Sequence, residues 1–153
     1  MRKVIRLSLV LIFVAAIGIA VLIFLNLGGN NSGLTPIKVG GHSLSIYTAK
    51  TNNQWRQGLS GMKTLDENTG MLFLFDSPGF FEMWMKDMNF PIDIIWIDSD
   101  FEVQEFRTNI SPDTYPQTFR PKSIASYALE VNAGWVQAHD IKIGDKIEFQ
   151  FKI

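Results

Sequence analysis

Between Phe81 and Asp98 the chain reads FEMWMKDMNFPIDIIWID, which packs three methionines, two tryptophans, a lysine and four carboxylates into eighteen positions. Those residue types support three kinds of chemistry. Trp84 can wall a pocket for a small polar ligand, with Lys86 anchoring an anion or a hydrogen-bond acceptor. Asp93, set among isoleucines, and Glu130, in the alternating run SYALEV, can serve as the acid and base of a hydrolase if their carboxyls share one cleft. Met83, Met85 and Met88, with Met62 and Met71 elsewhere, offer thioethers to Cu(I).

A plainer role competes with each. A carboxylate among aliphatic side chains is costly to desolvate unless it is paired, so Asp93 needs a partner, and Lys86 is the nearest cation in sequence. Lys86, Asp93 and Glu130 could then form an ion-pair network that holds strand register. Strand alternation puts Met83 and Met85 on the same face as Phe81, which favours core packing for the thioethers. His42 and His139 fit no metal-ligand spacing. The chain has no cysteine, no G-x-S-x-G, no phosphate-cradling glycine loop and no H-E-x-x-H. Neither a metal nor a cofactor is expected.

The elements that must position these residues are short. Apolar or alternating runs at Ile37–Val39, Ser43–Tyr47, Met71–Phe75, Phe81–Lys86, Ile92–Ile97, Glu102–Thr108, Ser126–Val131 and Lys146–Phe151 read as strands. Gly40-Gly41 between the first two marks a hairpin. Thr51 caps a short helix through Gln57 that Gly58 ends, and Ala133–His139 is a second. Ile110–Pro121, with three prolines, reads as a surface loop or the rim of a cleft. Eight short strands with little helix predict a mainly β fold, a compact β-sandwich or a partly closed barrel.

Ahead of this domain, Leu7 to Leu25 is apolar apart from Ser8 and Gly18, and at about 1.5 Å per residue it matches the roughly 30 Å of a bilayer core. It is expected to be an uncleaved transmembrane helix. Arg2, Lys3 and Arg6 precede it and the next cation is Lys38, so the N-terminus, residues 1–6, belongs in the cytoplasm and the rest outside. Residues 26–36 read as a flexible linker and 37–153 as the extracytoplasmic domain. Of fourteen Lys and Arg, the three before the span leave eleven outside against all fifteen Asp and Glu, a balance of −4. A nucleic-acid partner is not expected from such a domain.

Five stretches carry a family resemblance: GLSG (Gly58–Gly61), GMLFLF (Gly70–Phe75), MWMKDMNFPIDIIWID (Met83–Asp98), YALEVNAG (Tyr127–Gly134) and IKIGDKI (Ile141–Ile147). Together they resemble domain of unknown function family 192, also called uncharacterised protein family 0127, over about Ser43–Phe151. The resemblance implies a compact, mainly β fold, commonly behind a signal peptide or membrane segment, and no activity. It points to Trp84, Met85, Lys86 and Asp87, to Pro91–Ile94, to Ala128–Glu130, and to Gly144 and Asp145. Where the family often has Glu-Arg, this chain has Gln54 and Trp55, with Arg56 next to them; where the family has methionine, it has Ser60.

These readings combine into a single-pass plasma-membrane protein whose outer domain binds a small ligand or an envelope protein through Trp84, Lys86, Asp93 and Glu130. An envelope hydrolase using Asp93 and Glu130 is the alternative, and methionine-based Cu(I) binding a further one.

Overall fold

A computed structural model of the chain describes residues 33–149. The expected transmembrane helix, residues 7–25, lies outside them, as does the end of the last expected strand. Among the described residues no helix is long and apolar enough to cross a membrane.

Among the described residues nine strands form, in chain order β1 (Thr35–Val39), β2 (His42–Ala49), β3 (Thr69–Gly79), β4 (Met83–Trp84), β5 (Ile92–Ile97), β6 (Val103–Ile110), β7 (Thr118–Phe119), β8 (Ala125–Asn132) and β9 (Ile147–Phe149). Two short α-helices accompany them there, α1 (Asn52–Gln57) and α2 (Trp135–Ala138), with one 3-10 turn at Pro112–Thr114. Seven strands make one sheet in the order β6-β5-β8-β3-β2-β1-β9, while β4 and β7 pair separately. All neighbours are antiparallel except β2 and β3, whose parallel pairing requires the long crossover that contains α1.

Local chemistry explains several of these elements. Gly40 and Gly41 both take positive φ, 56° and 84°, as a two-residue hairpin turn demands. Thr51 and Gln54 make a reciprocal capping box at the start of α1.

The sheet curls until its edges meet at one end. There Val103 donates its N–H to Asp145 O (2.9 Å), Gly144 donates to Val103 O (2.8 Å), and Glu102 bridges to Lys146. Of the two architectures expected, the partly closed barrel is the one observed.

Two apolar groups fill the two sides of the sheet. The first draws on all seven strands, including Ile37, Ile46, Leu72, Ile95, Leu129 and Ile147, and occupies the concave side. The second, with Phe73, Ile94, Trp96, Ala128 and Met85, sits on the outer face beneath α1, residues 59–65 and the β4–β7 ribbon. Both faces of β5 are therefore covered, and every residue from Ile92 to Ile97 is buried. Each large apolar side chain so buried stabilises the fold by about 1.5–3 kcal/mol.

Three expectations need correction. Phe81–Lys86 is not a six-residue strand: only Met83–Trp84 pairs, and a turn follows in which Asp87 has φ 55°. The 110–121 segment is more than a loop, because Thr118–Phe119 pairs with Met83–Trp84. The first strand begins at Thr35, two residues before the expected start at Ile37.

Candidate functional site: a buried carboxyl under an aromatic cleft

The pairing of β5 with β8 decides how the two suspected acids are used. Ile94 lies opposite Glu130 and Asp93 opposite Val131, so alternation sends the two carboxylates to opposite faces of the sheet. They cannot share one cleft. The hydrolase built on Asp93 and Glu130 as a pair is thereby overturned, and so is the pocket of four residues.

Asp93 is fully buried on the concave side and is held by backbone. Its Oδ1 accepts from Asn109 N (2.8 Å) and Gly134 N (3.1 Å), and its Oδ2 from Val136 N (3.0 Å). One carboxylate thus ties β5 to β6 and to the start of α2, whose first-turn N–H groups need an acceptor. The expected need for a partner is met by three amides, not by Lys86. Lys86 is exposed, and its contribution is its carbonyl, which accepts from Ser60 Oγ at 2.7 Å. The ion pairs found among the described residues are Arg107–Glu105, Lys142–Asp140 and Lys146–Glu102, so the expected ionic network is absent from them.

Glu130 is also buried, at 3% exposure, but its surroundings differ. The Leu59 N–H donates to its carboxyl, while Oε2 has no hydrogen-bond partner among the described residues. Burial pushes the group up to about 8 from its ordinary 4.5, against the pull of the Leu59 N–H. At neutral pH it keeps its proton.

The turn over this carboxyl is shaped by glycine. Gly58 follows α1 with φ 49° and ψ −131°, and a Cβ there would stand 3.1 Å from Phe73 Cζ and 3.4 Å from Glu130 Oε2. Asp87 O holds the far end of the turn through Gly61 N at 2.8 Å. Beside Glu130 lies a space of about 20 Å³, lined also by Trp55, Leu59, Met83, Trp84 and Met88. A wider hollow of about 130 Å³ shares Trp55, Arg56, Glu82, Met83 and Trp84 with it and adds Asn52, Phe73, Phe75 and Phe81. The Trp55 indole N–H is committed to Ala49 O at 3.0 Å, and Phe75 stacks on Phe81.

A larger hollow, about 390 Å³, lies along Tyr47, Gln54, Gln57, Met62 and Met71. None of its lining residues carries a buried polar atom without a partner. We therefore place the candidate site at the smaller cleft, where such an atom exists.

Of the four residues expected from sequence, the structure brings together Trp84 and Glu130 and leaves Lys86 and Asp93 out. Trp55, Arg56 and Glu82 line the cleft as well: Trp55 and Arg56 stand at and beside the family's Glu-Arg position noted above, and Glu82 lies in the stretch that opens at Phe81. Met83, Met85 and Met88 are buried in the outer core group, not gathered near solvent as a copper site would need. His42 and His139, unremarkable in sequence, meet edge to face with centroids 4.9 Å apart. Among the described residues no three His, Cys, Asp or Glu side chains are grouped to hold a metal ion.

A curled, mainly β domain with an acid buried under an aromatic cleft is the class that fold and site define. The chain belongs to the DUF192 family, described as Uncharacterized ACR, whose model matches residues 35–149. No curated protein matches it. Among solved structures it is similar to a "putative transcription regulator" from Sinorhizobium meliloti 1021, at 28% identity and TM-score 0.72, over 76% of this chain and 93% of that one. It is equally similar to a protein of unknown function from Novosphingobium aromaticivorans DSM 12444, at 28% identity and TM-score 0.72, over 76% and 85%.

Proposed function

We propose that this DUF192 domain is a small-ligand-binding module, held on the outer side of the plasma membrane by residues 7–25. The observation that carries the reading is Glu130 Oε2. A buried polar atom without a partner costs about 1–3 kcal/mol and calls for an explanation, and of the atoms so placed among the described residues Glu130 Oε2 is the one whose residue lines this cleft. The aromatic walls above it supply the apolar contact that ligand clefts generally use. A concave site of this size suits a small molecule better than a protein surface.

The word regulator attached to the Sinorhizobium protein gains no support here from charge, since the domain outside the proposed span is acidic.

Thermal shift of the full chain against a panel of small envelope metabolites tests the proposal. Compounds that use the cleft raise the melting temperature of the wild type and lose that effect in Trp84→Ala. If every active compound stabilises Trp84→Ala as strongly as wild type, the cleft is not the site.

A further inference from the structure

We infer that the cleft over Glu130 takes an uncharged, ring-bearing molecule with a single polar oxygen at its tip, and that the Glu130 carboxyl donates a hydrogen bond to that oxygen. This rests on the ligand-binding reading above and adds the class of ligand.

Size argues first. The space that Glu130 lines, about 20 Å³, is scarcely more than the roughly 10–15 Å³ that one water needs. One heavy atom fits there, whereas a carboxylate or phosphate brings two or three oxygens. The adjoining hollow of about 130 Å³ approaches the roughly 150 Å³ at which an apolar cavity takes up benzene. A single ring is the body that fits.

The walls argue for a ring too. Trp55 has spent its N–H on Ala49, so it offers the cleft apolar indole surface, and Phe73, Phe75, Phe81 and Trp84 extend that surface. Offset or edge-to-face aromatic contacts contribute beyond simple burial.

Charge then excludes the ionic alternatives. The titratable groups that face Glu130 across the lining are Arg56 from α1 and Glu82 from the segment before β4. Both are exposed and opposite in sign, and Lys86 is not in the lining. From β3 and β5 the same face brings Met71, Phe73 and Ile94. An anionic ligand would meet no cation at depth. A cationic one would have to strip the proton that burial keeps on Glu130. A neutral acceptor needs neither change.

The closing experiment titrates the full chain with acetophenone, benzylamine and benzoate, read by the indole N–H signals of Trp55 and Trp84 in NMR at pH 6.5 and 9.0. Acetophenone, whose one polar atom is an acceptor oxygen, is expected to bind at least tenfold more tightly than either ion at pH 6.5, and to lose about tenfold by pH 9.0. In Glu130→Gln, whose amide still donates, acetophenone binding is expected to persist equally at both pH values. Acetophenone binding that ignores pH in the wild type overturns the donor role. Benzylamine binding that strengthens with pH and vanishes in Glu130→Gln makes the acid a counter-ion and overturns the ligand class, while the binding module stands. Silence from all three probes, with compounds of the metabolite panel still active, overturns this inference alone; silence from both removes the module.

Discussion

Asp93 and Glu130 stand on neighbouring strands, in adjacent rungs of the same ladder, and both are buried, yet they answer the cost of burial in opposite ways. Asp93 accepts three backbone N–H groups and fastens β5, β6 and α2 together. Glu130 accepts one, keeps its proton, and leaves an oxygen free under a turn that glycine holds close above it. The concave side of the sheet uses its acid for architecture. The outer side leaves its acid with one oxygen unpartnered among the described residues. Burial alone therefore does not tell the two carboxyls apart; the number of donors aimed at each does.

The contrast breaks first at Asp93. Asp93→Ala leaves three amides without an acceptor and removes a charge-assisted network, so a loss of about 3–5 kcal/mol is expected in urea unfolding. A loss under 1 kcal/mol would end the architectural role.

The effect of pH comes next. Because the folded-state value of Glu130 lies above its unfolded one, the folded chain holds the extra proton between them, and stability falls as pH rises from about 4.5 to about 8. The wild type is expected to lose on the order of a few kcal/mol across that window from this group, with the full stabilisation present below it. Glu130→Gln has no such titration, and its pH profile should lack this fall. Parallel profiles would contradict the neutral acid.

Smaller effects sharpen the picture. Gly58→Ala puts a methyl 3.1 Å from Phe73 Cζ at a positive φ, with an expected cost of about 1–3 kcal/mol by thermal unfolding. Thr51→Ala removes half of the capping box and costs about 1 kcal/mol. Lys86→Ala, at an exposed side chain, should stay within about 0.5 kcal/mol in the same assay and leave ligand affinity unchanged.

What the sequence showed and what it hid follow from the range of each signal. Ile92–Ile97, the Gly40-Gly41 hairpin and the Thr51 cap depend on neighbours a few residues away, and all were legible. The strand at Thr118–Phe119 was hidden, because it is two residues long and pairs with a segment more than thirty positions earlier. At the site, alternation placed Asp93 apart from Ile92 and Ile94, but the face that received Glu130 depends on which residue of β5 stands opposite it. That register is set by distant pairing and by no local pattern. Lys86 drew attention through its charge, although a charge on a turn between strands more often stays in water. Trp55 stood out only as a departure from the family pattern, because the crossover between two parallel strands, not its own neighbourhood, brings it into one lining with Glu130.

The central claim is that Glu130 stays protonated inside the folded domain at neutral pH. Its side-chain carboxyl carbon, followed by NMR through a pH titration of the folded chain, tests this most directly. The account predicts a single midpoint near pH 8. A midpoint near 4.5, the ordinary value for glutamate, would contradict it.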